Sequence, residues 1–143
     1  VVGMDCVGFV PANCYVYYRN GDSLVTSFRK DYAQRIAAYL LEFKKRVDTL
    51  NDQGVSSAFE QYVVFYLLLV MMHYVFNPAN GWDIHKQHAE FDHLVRTDLY
   101  RYALDHADCR QFSRSKRITA FVVRHHMFRL TRLICAFRNR QLH

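Results

Sequence analysis

The sequence predicts an all-α fold, an up-down helical bundle of about four long helices with a short extended N-terminal segment. Three observations carry that expectation. Apolar residues recur at three- and four-residue spacing over most of the chain beyond residue 22. Five glycines and two prolines, Pro11 and Pro78, are all that interrupt 143 residues, too few breaks for a many-turned β fold. The run YVVFYLLLVMMHYVF, residues 62–76, is apolar on every side of a helix, the mark of a helix packed all round. A chain of this length buries a sizeable core, so residues 1–143 read as a single domain, with 1–22 as its extended segment and 23–143 as its bundle.

Each element has its own signal. In residues 1–19 the β-prone stretches CVGFV and CYVYY flank PAN, which reads as a short hairpin or a strap lying across the bundle. Asn20-Gly21 turns the chain, and Asp22 or Ser23 caps a first helix. Its apolar side holds Phe28, Tyr32, Ile36, Tyr39, Leu40, Phe43, Val47 and Leu50, and Gly54 in NDQG is the expected stop. Ser57 and Glu60 form a capping box that opens the second helix. Residues 62–76 would cover about 22 Å at ~1.5 Å per residue, short of the ~30 Å hydrocarbon layer, so a core helix is expected in preference to a membrane span. NPANG at 77–81 is a turn, and Asp83 caps a third helix with the stripe Ile84, His88, Phe91, Val95, Leu99 and Tyr102. Ser113 or Ser115 caps a fourth that reaches about Asn139, with Val123, Met127, Leu130, Ile134 and Phe137 facing the core.

Charge is distributed unevenly. The chain carries nineteen Lys and Arg against thirteen Asp and Glu, a net charge of +6. No acidic residue follows Asp108, whereas nine basic ones do: Arg110, Arg114, Lys116, Arg117, Arg124, Arg129, Arg132, Arg138 and Arg140. Residues 1–108, with ten basic and thirteen acidic side chains, are therefore slightly negative. Arginine outnumbers lysine fourteen to five, and its planar fork suits phosphate, sulfate and carboxylate. On a continuous helix Phe121 and Phe128 lie among these arginines. That combination points to a membrane or polyanion-binding face, with anionic lipid or a polyanionic glycoprotein as partner. Bases stacking on the aromatics, as on single-stranded nucleic acid, are the alternative. A helix seam in a homodimer or against another protein, as in a cytokine-like or structural bundle, is a third. Coverage of the two phenylalanines by residues 1–19 would leave the face purely structural.

Motifs for chemistry are sparse. There is no nucleophile elbow, Gly-rich phosphate loop or HExxH, and no cofactor or catalytic residue is expected, so the chain reads as non-enzymatic. Asp105, His106 and Asp108 beside Cys109 lack an arguable base. His85, His88 and Asp92 have helical spacing for zinc, yet His88 also falls on the third helix's core stripe, and ordinary helix histidines are expected there. Cys6, Cys14, Cys109 and Cys135 allow two disulfides in three pairings, or four thiols in a reducing compartment. The chain opens on Val1 with no basic segment leading into an apolar run, as a processed chain or a fragment would.

The order of FRKDYAQRIAAYLLEFKKRV, SSAFEQYVVFYLLLVMMHYVF and RTDLYRYALD resembles the abalone sperm lysin family, which includes a fusagenic acrosomal relative. The likeness spans about residues 23–105 by pattern. The four cysteines and the long basic C-terminal helix depart from it. The resemblance implies a secreted or vesicle-stored sperm protein, against an intracellular location as the alternative. It also implies non-enzymatic action on egg-coat glycoprotein or membrane, through basic and aromatic surface.

Overall fold

A computed structural model describes residues 28–142. The extended N-terminal segment, the Asp22 or Ser23 cap, and Cys6 and Cys14 lie outside the described residues. The described chain is all-α, without a strand. Six α-helices follow in order: α1 (Tyr32–Leu50), α2 (Gln53–Val70), α3 (Ile84–Arg96), α4 (Asp98–His106), α5 (Arg114–Arg124) and α6 (Phe128–Leu142). A π-helical turn, Met71–Val75, prolongs α2, and short 3-10 turns occupy Pro78–Asn80 and Cys109–Gln111.

The α1–α2 hairpin forms where the sequence places it, but with different end signals. Asn51, in the left-handed conformation at φ 48°, stops α1, and Asp52 caps α2 by accepting from the Val55 amide at 2.9 Å. Asp52 reaches the free first-turn amides before Ser57 does, so the expected capping box of Ser57 and Glu60 falls inside the helix and Gly54 lies in its first turn. The seam between the two helices is aromatic. Phe43 meets Phe59 and Tyr62 edge-on at 5.6 and 5.7 Å, and the hydroxyls of Tyr39, Tyr62 and Tyr66 form a chain with spacings of 3.1 and 3.2 Å. Burial, followed by these phenol partners, pushes the Tyr62 pKa up.

Helix α2 is the central strut and touches α1, α4 and α5, while its π turn touches α3 and α6. Val64, Leu67, Val70, Met71 and Val75 are fully buried, and every residue from 62 to 76 is buried or half-buried. The continuous helix Gln53–Val75 has 23 residues and is long and apolar enough to cross a membrane, so the shorter length expected from 62–76 alone understates it. The placement of α2 among the other helices comes from its packing.

A helix ending inside a core leaves carbonyls that water cannot reach. Three asparagines supply the missing donors. Asn77 donates to the His73 carbonyl at 3.1 Å, and Asn80 donates to those of Tyr74 and Val75 at 2.9 and 2.7 Å. Asn139, from the far end of α6, donates to the Phe76 carbonyl at 3.1 Å. His73 itself is buried with its ring edge-on to Tyr32 at 6.3 Å, and burial pushes its imidazole pKa down.

The third and fourth expected helices are each divided, which replaces the four-helix count with six. Asp83 caps α3 as expected, through the Lys86 amide at 2.7 Å. At Thr97 the backbone becomes extended, and α4 restarts with a new phase. Phe91 and Val95 are buried as expected. Ile84, His88 and Tyr102 are exposed, and Tyr100, Ala103 and Leu104 take the inward places. The second division lies at His125–Met127. His126 adopts φ 54°, its amide donates to the Val123 carbonyl and the Met127 amide to that of Val122. These two bonds make a Schellman closure with histidine where glycine is usual. It turns α6 back along α5.

Two outcomes test this account. Asn139→Ala strands the Phe76 carbonyl and should lower unfolding stability in urea by about 1–3 kcal/mol. His126→Gly should raise it. Left-handed strain of roughly 1–2 kcal/mol disappears, against about 0.4–1 kcal/mol of added freedom in the unfolded chain, for a net gain of about 0.5–1 kcal/mol. A loss on His126→Gly would mean that this turn is not left-handed in solution.

Candidate basic and apolar surface

The α5–α6 hairpin holds all nine residues of the basic series except Arg110, which sits in the 3-10 turn before it. What the turn at His126 changes is which apolar side chains stand among them. Along α6, Phe128, Thr131, Cys135 and Asn139 face inward. Phe128 is 8% exposed and packs on Phe76 and Phe91, each at 5.7 Å, and on the His88 ring at 4.5 Å. It is a core residue and not a surface wedge. The opposite correction applies to the stripe expected in the core. Met127, Leu130 and Phe137 of that stripe are exposed, Phe137 at 61%, only Val123 is fully buried and Ile134 is half-buried; Leu133, outside the stripe, is 66% exposed.

Two contacts fix the inward face of α6: the packing of Phe128 on Phe76 and Phe91 and the Asn139 hydrogen bond to the Phe76 carbonyl. The surface that α6 leans on is the π-turn end of α2, whose Phe76 carbonyl needs a donor. Asn139 therefore points inward, and Thr131 and Cys135, spaced with it on one helical face, follow. The larger aliphatic side chains are left outside. Burial pushes the Cys135 thiol up to about 12.

On α5, Arg114, Arg117, Phe121 and Arg124 share one exposed face, beside Ile118. Phe121 is 57% exposed and rests on the His125 ring at 4.3 Å. Lys116 lies apart from them, half-buried, with its ammonium 4.6 Å from the Phe65 ring of α2. Arg138 is half-buried and donates to the Ser115 hydroxyl, tying α6 to α5. Arg129, Arg132 and Arg140 are exposed on α6. Two arginines carry carboxylate partners: Arg110 with Asp108 at 3.1 Å and Arg124 with Asp105 at 3.6 Å. The remaining members of the series form no ion pair among the described residues.

The result is an apolar ridge on α6, Leu130, Leu133 and Phe137 at helical spacing, with Arg129, Arg132 and Arg140 exposed on the same helix, while Ile118 and Phe121 are exposed on α5. Sequence periodicity found the basic residues and Phe121 but missed the ridge, because it assumed one unbroken helix. The only local hint of the break was His125-His126, and histidine tolerates the left-handed region better than most residues.

Other candidate chemistry finds little geometry. His88 lies 3.8 Å from Asp92, and among the described residues no three His, Cys, Asp or Glu side chains are grouped to hold a metal. Cys109 and Cys135 form no disulfide among the described residues. Burial, then the Asp108 charge, pushes the Cys109 thiol up against the opposite pull of Arg124 and Arg117, which disfavours a reactive thiolate.

The contrast between the two phenylalanines is measurable. Phe128→Ala should cost about 3–5 kcal/mol of stability as a core truncation, whereas Phe137→Ser should change it by roughly 0.5 kcal/mol or less, as at a surface position. Equal losses would mean that the ridge is covered. Comparison of the chain with protein-family models, with curated proteins and with solved structures finds no match.

Proposed function

We propose that this protein is a non-enzymatic, membrane-active one that attaches to anionic lipid through the α5–α6 hairpin. The observation that carries the reading is the apolar ridge lying exposed inside an acid-free, nine-cation segment. Soluble surfaces seldom gather large aliphatic side chains in one place. An interfacial helix does so with arginines at its flanks, where they meet headgroups as the apolar side enters the acyl boundary. Each basic residue near such a surface contributes on the order of 1 kcal/mol of attraction.

The make-up of the ridge favours lipid over single-stranded nucleic acid. Base stacking needs aromatic platforms, and the inward turn of Phe128 leaves one exposed phenylalanine on each helix of the hairpin, Phe121 on α5 and Phe137 on α6. Leucine and isoleucine add to insertion and nothing to stacking. A second copy of the chain seated on the ridge is the other reading the exposed leucines support. On the pattern resemblance of residues 23–105 to the sperm lysin family, the proposed activity would act at a gamete surface, in fusion or egg-coat recognition.

Binding to anionic vesicles across a salt series, with dye leakage and sedimentation on the same preparation, tests the proposal. Replacing Arg129 and Arg132 with Gln should weaken attachment and flatten its salt dependence. Leu133→Ser with Phe137→Ser should leave attachment at low salt and reduce leakage. Unaltered vesicle binding in both double variants would overturn the proposal. A sedimenting dimer that dissociates on the Leu133 and Phe137 changes would assign the ridge to self-association.

A further inference from the structure

The end of α4, the Cys109–Gln111 turn and the exposed face of α5 enclose an open cleft of about 540 Å³. That volume lies within the ordinary range for a small-ligand site. Four arginines line it, Arg110, Arg114, Arg117 and Arg124, with Ile118 and Phe121 also on its wall. Asp108 lines it too, but its carboxylate accepts from both the backbone amide and the Nε of Arg110, at 3.0 and 3.1 Å. Arg124 is held by Asp105, through the carboxylate at 3.6 Å and the main-chain carbonyl at 3.4 Å. Two guanidinium groups, Arg114 and Arg117, remain without an ion-pair partner among the described residues, one helical turn apart on the same face.

We infer that this cleft is a binding site for a phosphomonoester, held by Arg114 and Arg117. The inference deepens the lipid reading above and rests on it for the source of the ligand. With Arg110 and Arg124 balanced by carboxylates, the cleft retains two positive charges. A phosphomonoester carries about −1.5 to −2 at neutral pH and has three unsubstituted oxygens, enough for two forked donors. A phosphodiester has one charge and two such oxygens, and leaves one of the two positive charges unbalanced. Arginine fits the task better than lysine because the fork fixes direction as well as charge. Ile118 and Phe121, each 57% exposed at the cleft wall, offer apolar contact for whatever the phosphate is joined to. A lipid bearing a terminal phosphate meets both requirements at once. A free phosphomonoester meets the first.

The test compares phosphatidylcholine vesicles containing phosphatidic acid with ones containing phosphatidylglycerol at matched surface potential, alongside soluble glycerol 3-phosphate. The unaltered chain should bind the phosphatidic acid vesicles about tenfold more tightly. Arg114→Gln with Arg117→Gln should abolish that preference, while Arg129→Gln with Arg132→Gln should weaken both kinds of binding in parallel. Circular dichroism and thermal unfolding confirm that both variants fold. Equal affinity of the unaltered chain for the two vesicles, or a preference that survives loss of Arg114 and Arg117, overturns the site and leaves the membrane reading standing. Glycerol 3-phosphate binding that disappears in the Arg114 and Arg117 variant, with no vesicle binding at all, supports the site with a soluble ligand and overturns the membrane reading. Absence of binding to either ligand overturns the site.

Discussion

The buried end of α2 is the constraint on which the rest of the structure depends. The apolar helix ends at buried residues, His73, Val75 and Phe76 among them, and the carbonyls of His73, Tyr74, Val75 and Phe76 take their hydrogen bonds from within the fold. Unpaired, each would cost about 1–3 kcal/mol. Asn77 and Asn80 meet three of them from the turn that follows, and Asn139 meets the fourth from a segment 63 residues away. That last bond ties the fold to the candidate site. It requires α6 to direct its Asn139 side inward, and helical geometry then carries Thr131 and Cys135 with it. Leu130, Leu133 and Phe137 stand on the opposite side as a consequence.

Much of this was legible in the sequence, and the failures have identifiable physical causes. Three- and four-residue spacing gave the helical class. An apolar run without a polar stripe located the central helix, and Asp83 its neighbour's cap. Charge segregation after Asp108 depends only on counting, and it located the basic face. The α5–α6 break was hidden because its left-handed residue is His126, not glycine, and an amphipathic pattern carries through it without a gap. Once α5 and α6 are taken as one helix, every inward assignment beyond residue 124 takes the wrong phase. Phe128 was therefore placed outside and Phe137 inside. The role of Asn139 was beyond any local reading, since its partner carbonyl is distant in sequence. Asp52 displaced Ser57 for a simpler reason: two adjacent helices can share a very short link when an asparagine accepts the left-handed position.

The two halves of the candidate surface act over different distances. Attraction between arginine and an anionic layer extends about 10 Å at 0.1 M salt, whereas apolar transfer is a contact effect. Residues 1–108 carry a small negative excess, opposite in sign to residues 109–143. On the proposed reading this asymmetry orients the molecule before contact, with the α5–α6 hairpin attracted and the remainder mildly repelled. The ridge then meets the surface first, because its side chains are the ones left exposed on α6. Charge of one sign at one end would be sufficient for attachment. Insertion needs, in addition, aliphatic side chains left outside the core. The burial of Phe128 and the Asn139 cap together set which side of α6 a membrane would encounter.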